Sequence, residues 1–194
     1  MQGHRPCVIF GKNMEKRVFQ NPKIKDIVTV LKSPAETNNE YMLLEVELEP
    51  KGGNGLHYHT SFAEEFIPVD GELGIQLEEK NIILTPGQKS TAQAHQLHRF
   101  YNPGKKPIRF HVRIAPAQDG FLKALSIGYG LAGDGLTNNK GIPKKLDHLA
   151  LVLELSETRF KGVLGLITPW LLRRAKRARK KGTYDALIQK YYQQ

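Results

Sequence analysis

Residues 52–71 read GGNGLHYHTSFAEEFIPVDG, and residues 86–102 read PGQKSTAQAHQLHRFYN. The first stretch opens on a glycine-rich turn and runs into His57-Tyr58-His59. In an extended chain alternate side chains share a face, so His57 and His59 point the same way, about 7 Å apart along the strand. Glu64 and Glu65 follow closely, and His98 lies in the second stretch. Two neutral imidazoles converging with a carboxylate suit a divalent transition metal such as Mn, Fe, Co, Ni, Cu or Zn.

The surrounding sequence is β in character. Met42, Leu44, Val46 and Leu48 alternate with Glu45, Glu47 and Glu49. Leu73, Ile75 and Leu77 alternate with Glu72, Gly74 and Gln76, and Ile108, Phe110, Val112 and Ile114 with Arg109, His111 and Arg113. This period of two predicts half-buried strands. Turn residues at 50–55, Asp70-Gly71, Pro86-Gly87 and Asn102-Pro103-Gly104 separate the runs. Short strands with such punctuation predict an antiparallel sandwich or barrel.

Read together, the two stretches resemble the paired motifs of the cupin superfamily. The first is a glycine-rich turn, HxH, a Glu separated by four residues from His59 and a closing Gly71; the second is a Pro-Gly turn, then His98 separated by three residues from Asn102. The likeness spans residues 40–115. It implies a mainly β fold, a double-stranded β-helix (jelly-roll) barrel, with one divalent metal (Mn, Fe, Ni, Co, Cu or Zn) inside it. Carried over position by position, the implied ligands are His57, His59, Glu64 and His98. The six residues between Glu64 and Gly71 favour Glu64 over Glu65. The pattern departs at Lys51, where an opening glycine is expected, at Pro68, at Gln93, where a proline is common, and at His95, where a small residue is usual.

Other residues have plainer expectations. Tyr58 and Tyr101 have the opposite parity to the ligands, and His111 faces away from the apolar side of its strand. His95 is a candidate for a supporting role beside the site. His4, His148 and Cys7 read as ordinary residues. Phe100 shares the face of His98; with Met42, Leu44, Val46, Phe110 and Val112 it is a candidate lining for a small, partly apolar ligand.

After Pro116 the pattern turns helical. Phe121–Gly130 reads as a short helix weakened by glycines, and Leu146–Leu155 as a buried one, since it is apolar almost all round. Thr168 before Pro169 predicts a helix N-cap. Trp170–Lys181 follows, ended by Gly182, and then a helix from Thr183 to about Tyr192. The expected division is a barrel over 1–118 and a helical extension over 119–194.

The formal net charge of +10 is concentrated in that extension. Residues 158–181 hold nine Lys and Arg and no Asp or Glu; the remaining 20 basic residues face 19 acidic ones. That distribution argues against a chain that binds nucleic acid over its whole surface. The basic helix is expected to dock on the barrel or a second subunit, with contact to an anionic membrane or to nucleic acid as weaker alternatives. It resembles the C-terminal extensions of some bacterial cupin proteins. The longest weakly polar run, 162–172, is too short to span a bilayer. One cysteine allows no internal disulfide, and the start of the chain has no signal-like apolar core, so a cytoplasmic location is expected. The resemblance implies either an enzyme of dioxygenase or isomerase type, acting on a small molecule, or a cupin that holds metal and ligand without turnover. It also implies a homodimer.

Overall fold

The computed structural model describes residues 17–193; the expectations for His4 and Cys7 fall outside them. Ten strands come first: β1 (Val18–Asn21), β2 (Asp26–Lys32), β3 (Met42–Leu48), β4 (Tyr58–His59), β5 (Ala63–Asp70), β6 (Leu73–Leu77), β7 (Lys80–Leu84), β8 (Ser90–Ala92), β9 (His98–Tyr101) and β10 (Ile108–Ala115). Then follow α1 (Asp119–Gly133), α2 (Leu146–Leu155), β11 (Thr158–Arg159), α3 (Val163–Leu166), α4 (Thr168–Lys180) and α5 (Thr183–Tyr191). No helix among the described residues is long and apolar enough to cross a membrane.

The strands form a six-stranded sheet in the order β1-β2-β3-β10-β5-β8 and a three-stranded sheet in the order β7-β6-β9. All pairings are antiparallel. The alternation read from the sequence is the alternation of burial. Met42, Leu44, Val46 and Leu48 of β3, and Ile108, Phe110, Val112 and Ile114 of β10, point into one core, which Leu73 and Ile75 of β6 share from the facing sheet. This is the double-stranded β-helix of a jelly roll. Pro68 sits in β5, an interior strand, yet β8 pairs only with Glu64 to Phe66. At Pro68 the strand therefore has a neighbour on one side only, beside a register shift at Arg109/Phe110, which is where a residue without an N–H is tolerated.

The helices build a second core. Ile127 and Leu131 of α1, Ala150 and Leu151 of α2, Leu171, Ala175 and Ala178 of α4, and Leu187, Ile188 and Tyr191 of α5 pack together. α1 joins the two cores, because its Leu122 belongs to the barrel.

Three helix expectations are corrected. α1 is longer than Phe121–Gly130, and Gly130 serves contact rather than weakness: a Cβ there would lie 2.2 Å from Cδ1 of Tyr191, whereas one on Gly128 would meet open space. α2 is not fully buried. Only Ala150 and Leu151 are, and Leu146 is 44 % exposed, because the helix lies on the outside of α1 and α4. Thr168 is not an N-cap. The residue before α4 is Ile167, at φ −84° and ψ −8°, so the chain enters α4 already helical from α3 and never adopts the extended conformation a cap needs.

One buried polar pair links the cores. Tyr129 of α1 donates a hydrogen bond to Asp26 of β2, and the other carboxylate oxygen has no partner among the described residues. Burial pushes the Asp26 pKa up to about 7, against a smaller lowering by the Tyr129 hydrogen bond.

Two outcomes follow for stability. The Gly130→Ala variant is expected to lose about 1–3 kcal/mol, since overpacking outweighs the gain in helix propensity; thermal unfolding measures it. Between the ordinary carboxyl pKa and about 7 the folded state holds a proton at Asp26 that the unfolded state has released. Stability contributed there is present at low pH and falls as pH rises through that window, by up to about 1.4 kcal/mol per pH unit. Urea midpoints at pH 5 and pH 8 should show this decline, and Asp26→Asn should flatten it.

Candidate metal centre

The glycine turn fits closely under the barrel. A Cβ on Gly53 would meet the Phe100 carbonyl oxygen at 2.6 Å, so the turn can lie against β9 only as glycine. Lys51, at the position of the missing glycine, is held at φ 63°, in the left-handed region. Beyond the turn, the His57 and His98 backbones exchange two hydrogen bonds, N–H to O at 3.0 and 2.7 Å. That bridge places both imidazoles on the same inner side. β4 then presents His59, and β5 presents Glu64 from the opposite sheet.

The four side chains meet. One donor atom from each of His57, His59, Glu64 and His98 lies within 4.8 Å of all the others, and all four residues are buried. Each imidazole is oriented from behind. Nδ1 of His57 lies 2.7 Å from the Gly55 carbonyl oxygen, Nδ1 of His98 lies 2.8 Å from that of Gln96, and Nδ1 of His59 lies 2.9 Å from that of Ser156. A carbonyl only accepts, so each Nδ1 carries the proton and each Nε2 turns inward.

Electrostatics follow from this packing. Burial drives the His57 pKa down to about 3, helped by repulsion from His59 and His98. Burial also lowers that of His59, against the attraction of Glu64. For Glu64 burial acts upward, but the surrounding histidines, His59 foremost, outweigh it and hold the carboxyl below its ordinary value. Burial opposes protonation of His98 as well, yet its 2.9 Å contact with Glu64 raises the pKa overall.

One contact tests whether a cation fits. Nε2 of His57 and Nε2 of His59 are 3.1 Å apart. Both rings give their proton to carbonyls on the far side and both are too deeply buried to gain a second, so two lone pairs face each other with no hydrogen between them. A divalent cation bound by both nitrogens relieves that apposition. The donor set of imidazoles and one carboxylate suits a borderline transition metal.

The structure separates the four from their rivals. Glu65 turns outward to Lys89 at 2.8 Å, and His111 pairs with Glu45 outside the barrel at 3.2 Å. The Tyr58 ring lies 6.1 Å from that of exposed His95, away from the cluster. His95, at φ 66°, gives its backbone N–H to the His59 carbonyl at 2.7 Å. Its contribution to the site is made by the main chain. Met42, Leu44, Val46, Phe110 and Val112 are buried in the barrel core, and Phe100 is half-buried against it.

Other neighbours went unnamed in the sequence reading. The Phe62 ring stacks on His59 at 4.3 Å, the Phe121 ring lies edge-on to it at 5.9 Å, and the Phe66 ring is 6.1 Å from His98. Phe62, Glu64 and Phe66 alternate along one face, a signal sequence could have given. Ser156 had no such signal, because its main-chain carbonyl acts. It comes from a strap in the helical extension: β11 pairs with β4, Thr158 opposite His59 and Arg159 opposite Tyr58. Thr60 donates to the Glu157 carboxylate at 2.5 Å.

A family model described as "Cupin domain" matches residues 44–114. No curated protein matches the chain. Among solved structures, KdgF from Halomonas sp. is similar at 17 % identity and a TM-score of 0.47, covering 52 % of this chain and 87 % of its own. A sugar phosphate isomerase from a cupin superfamily, from Silicibacter pomeroyi, is similar at 22 % identity and 0.45, covering 53 % and 71 %. An RmlC-like cupin from Shewanella frigidimarina shows 17 % identity and 0.46, covering 60 % and 96 %.

The orientation of the rings has a direct readout. In metal-free protein at neutral pH, long-range ¹⁵N–¹H spectra are expected to show His57 and His59 as neutral Nδ1–H tautomers. An Nε2–H tautomer at His57 would contradict the apposed lone pairs.

Proposed function

We propose that this chain, a member of the cupin superfamily through its 44–114 domain, binds one divalent transition metal through Nε2 of His57, His59 and His98 and the carboxylate of Glu64. The observation that carries this reading is the 3.1 Å approach of the His57 and His59 Nε2 atoms, each ring held from behind by a carbonyl. Mn, Fe, Ni, Co, Cu and Zn all suit the donor set. When bound, the ion would supply Lewis-acid or redox chemistry to a small oxygen-bearing substrate. The chain's own part is to hold three rings and a carboxylate fixed and to shield them from water. Its apolar wall of Met42, Leu44, Val46, Phe100, Phe110 and Val112 is proposed to line the space for a small, partly apolar ligand. Chemistry of dioxygenase or isomerase type is the reading we adopt for an enzyme. Residues 1–118 act as the barrel and 119–194 as the extension that straps it; the protein works in the cytoplasm as a homodimer, a state light scattering reports.

A second reading, a cupin that holds metal and ligand without turnover, is favoured by a specific observation. The rings around the cluster, Phe62, Phe66 and Phe121, carry no group able to donate or accept a proton. Under this reading a ligand would bind unchanged, whereas an enzyme would convert it in a single-turnover assay.

Elemental analysis after metal-supplemented expression tests the common core. Wild type is expected to carry about one divalent transition metal per chain. His57→Ala and His98→Ala, with unchanged circular dichroism, should bind it at least about tenfold more weakly, as loss of a direct ligand exceeds the 10–100-fold cost of disturbing a supporting one. Wild type without stoichiometric metal would overturn the proposal.

A further inference from the structure

Among the described residues the helical extension leaves one apolar face unpacked, its Trp170 ring lying 5.7 Å from the Arg174 guanidinium of the same helix. Val163 and Leu166 of α3, Ile167 after it, and Trp170 at the start of α4 are spaced i, i+3, i+4, i+7, which aligns them on one side of a helical path. They are 79 %, 80 %, 45 % and 47 % exposed. The same stretch continues into cations. Arg173, Lys176, Arg177, Lys180 and Lys181 are exposed and have no ion-pair partner among the described residues, unlike Arg174 and Arg179, which are tied to Asp147 and Glu154. The opposite side of α4, Leu171, Ala175 and Ala178, is already spent inside the helical core. Packing therefore accounts for the inner face and leaves the outer one unexplained.

We propose that this face docks on an anionic phospholipid surface, with Val163, Leu166, Ile167 and Trp170 entering the interfacial region and the five exposed cations on headgroup phosphates. Each part of the face fits that occupant. Tryptophan is favoured at the boundary between headgroups and acyl chains. A peripheral helical segment with an apolar patch and adjoining Lys and Arg binds by both burial and charge. Other occupants fit less well. Two copies paired about a twofold axis would bring together two segments that each hold nine cations and no anion. A nucleic-acid backbone would satisfy the cations but leave three exposed aliphatic side chains in water. The rest of the chain is nearly neutral, with 20 basic residues against 19 acidic ones. This inference does not depend on the metal site.

The test uses the full chain. Trp170 is the only tryptophan, so its emission reports on this face alone. With vesicles of phosphatidylcholine containing 30 % phosphatidylglycerol at low salt, the protein should co-sediment and Trp170 emission should shift to the blue. Pure phosphatidylcholine or high salt should abolish both. Each cation removed should weaken binding about fivefold, so Arg173→Gln, Arg177→Gln and Lys180→Gln together should weaken it about 100-fold. Val163→Ser with Leu166→Ser should weaken it while circular dichroism stays unchanged. No binding to the anionic vesicles at low salt overturns the proposal, as does equal binding to neutral ones. A face that instead binds duplex DNA, or drives self-association that Leu166→Ser abolishes, with no vesicle binding, overturns it in favour of that partner.

Discussion

The contact between the His59 imidazole and the Ser156 carbonyl, across 97 positions of sequence, ties the whole molecule together. Ser156 closes the C-terminus of α2. The carbonyls there are the negative end of the helix and lack partners within it, so a ring N–H that donates to one satisfies the helix and fixes the ring in the same bond. β11 follows at once and pairs with β4, and the Thr60–Glu157 hydrogen bond closes the strap. A barrel histidine is thereby positioned by the helical extension. The cluster is not complete within the strands alone: the 44–114 segment holds all four side chains but only two of the three carbonyls behind them.

The backbone around the cluster is held in costly conformations. Lys51, His95 and Glu157 all have positive φ, at 63°, 66° and 51°. For residues with a Cβ this region costs roughly 1–2 kcal/mol each. All three flank the site: Lys51 opens the turn before His57, His95 bonds the His59 carbonyl, and Glu157 anchors the strap. Such conformations persist only where surrounding contacts over-determine them. Here the contacts are specific. The His95 N–H reaches His59 at 2.7 Å, and the Glu157 carboxylate accepts from Thr60. The two departures from the cupin pattern at Lys51 and His95 fall where the fold asks for glycine-like geometry and receives it from larger residues under strain.

The sequence displayed the barrel more fully than it displayed the helices, for a physical reason. A strand with one face in the core writes its environment into every second residue, as β3 and β10 do. The four cluster residues were legible because side-chain donors must be particular residue types at particular spacings. The carbonyls of Gly55, Gln96 and Ser156 were not, because every residue has one. Helix α2 misled because composition records how apolar a helix is, not what covers it; Leu146 is apolar and 44 % exposed all the same. Thr168 misled because capping depends on the conformation of the preceding segment, and α3 supplies a helical one. Gly130 looked like a defect in α1 until Tyr191, 61 residues later, proved to occupy the space of its missing Cβ.

The charge of α4 is hard to explain by folding alone. Arg173 with Arg177, and Lys176 with Lys180, place like charges four residues apart on the outer surface, each pair destabilising the helix by a few tenths of a kcal/mol. Only Arg174 and Arg179 gain partners on α2, and such half-exposed pairs contribute little. What holds α4 in place is the burial of Leu171, Ala175 and Ala178 against α2 and α5, to which the outer residues are indifferent. A sequence under pressure for stability alone would alternate charges on that surface. It instead carries one sign throughout and leads into an exposed apolar stretch, so the outer face of the extension answers to something outside the chain, while its inner face and strap serve the barrel.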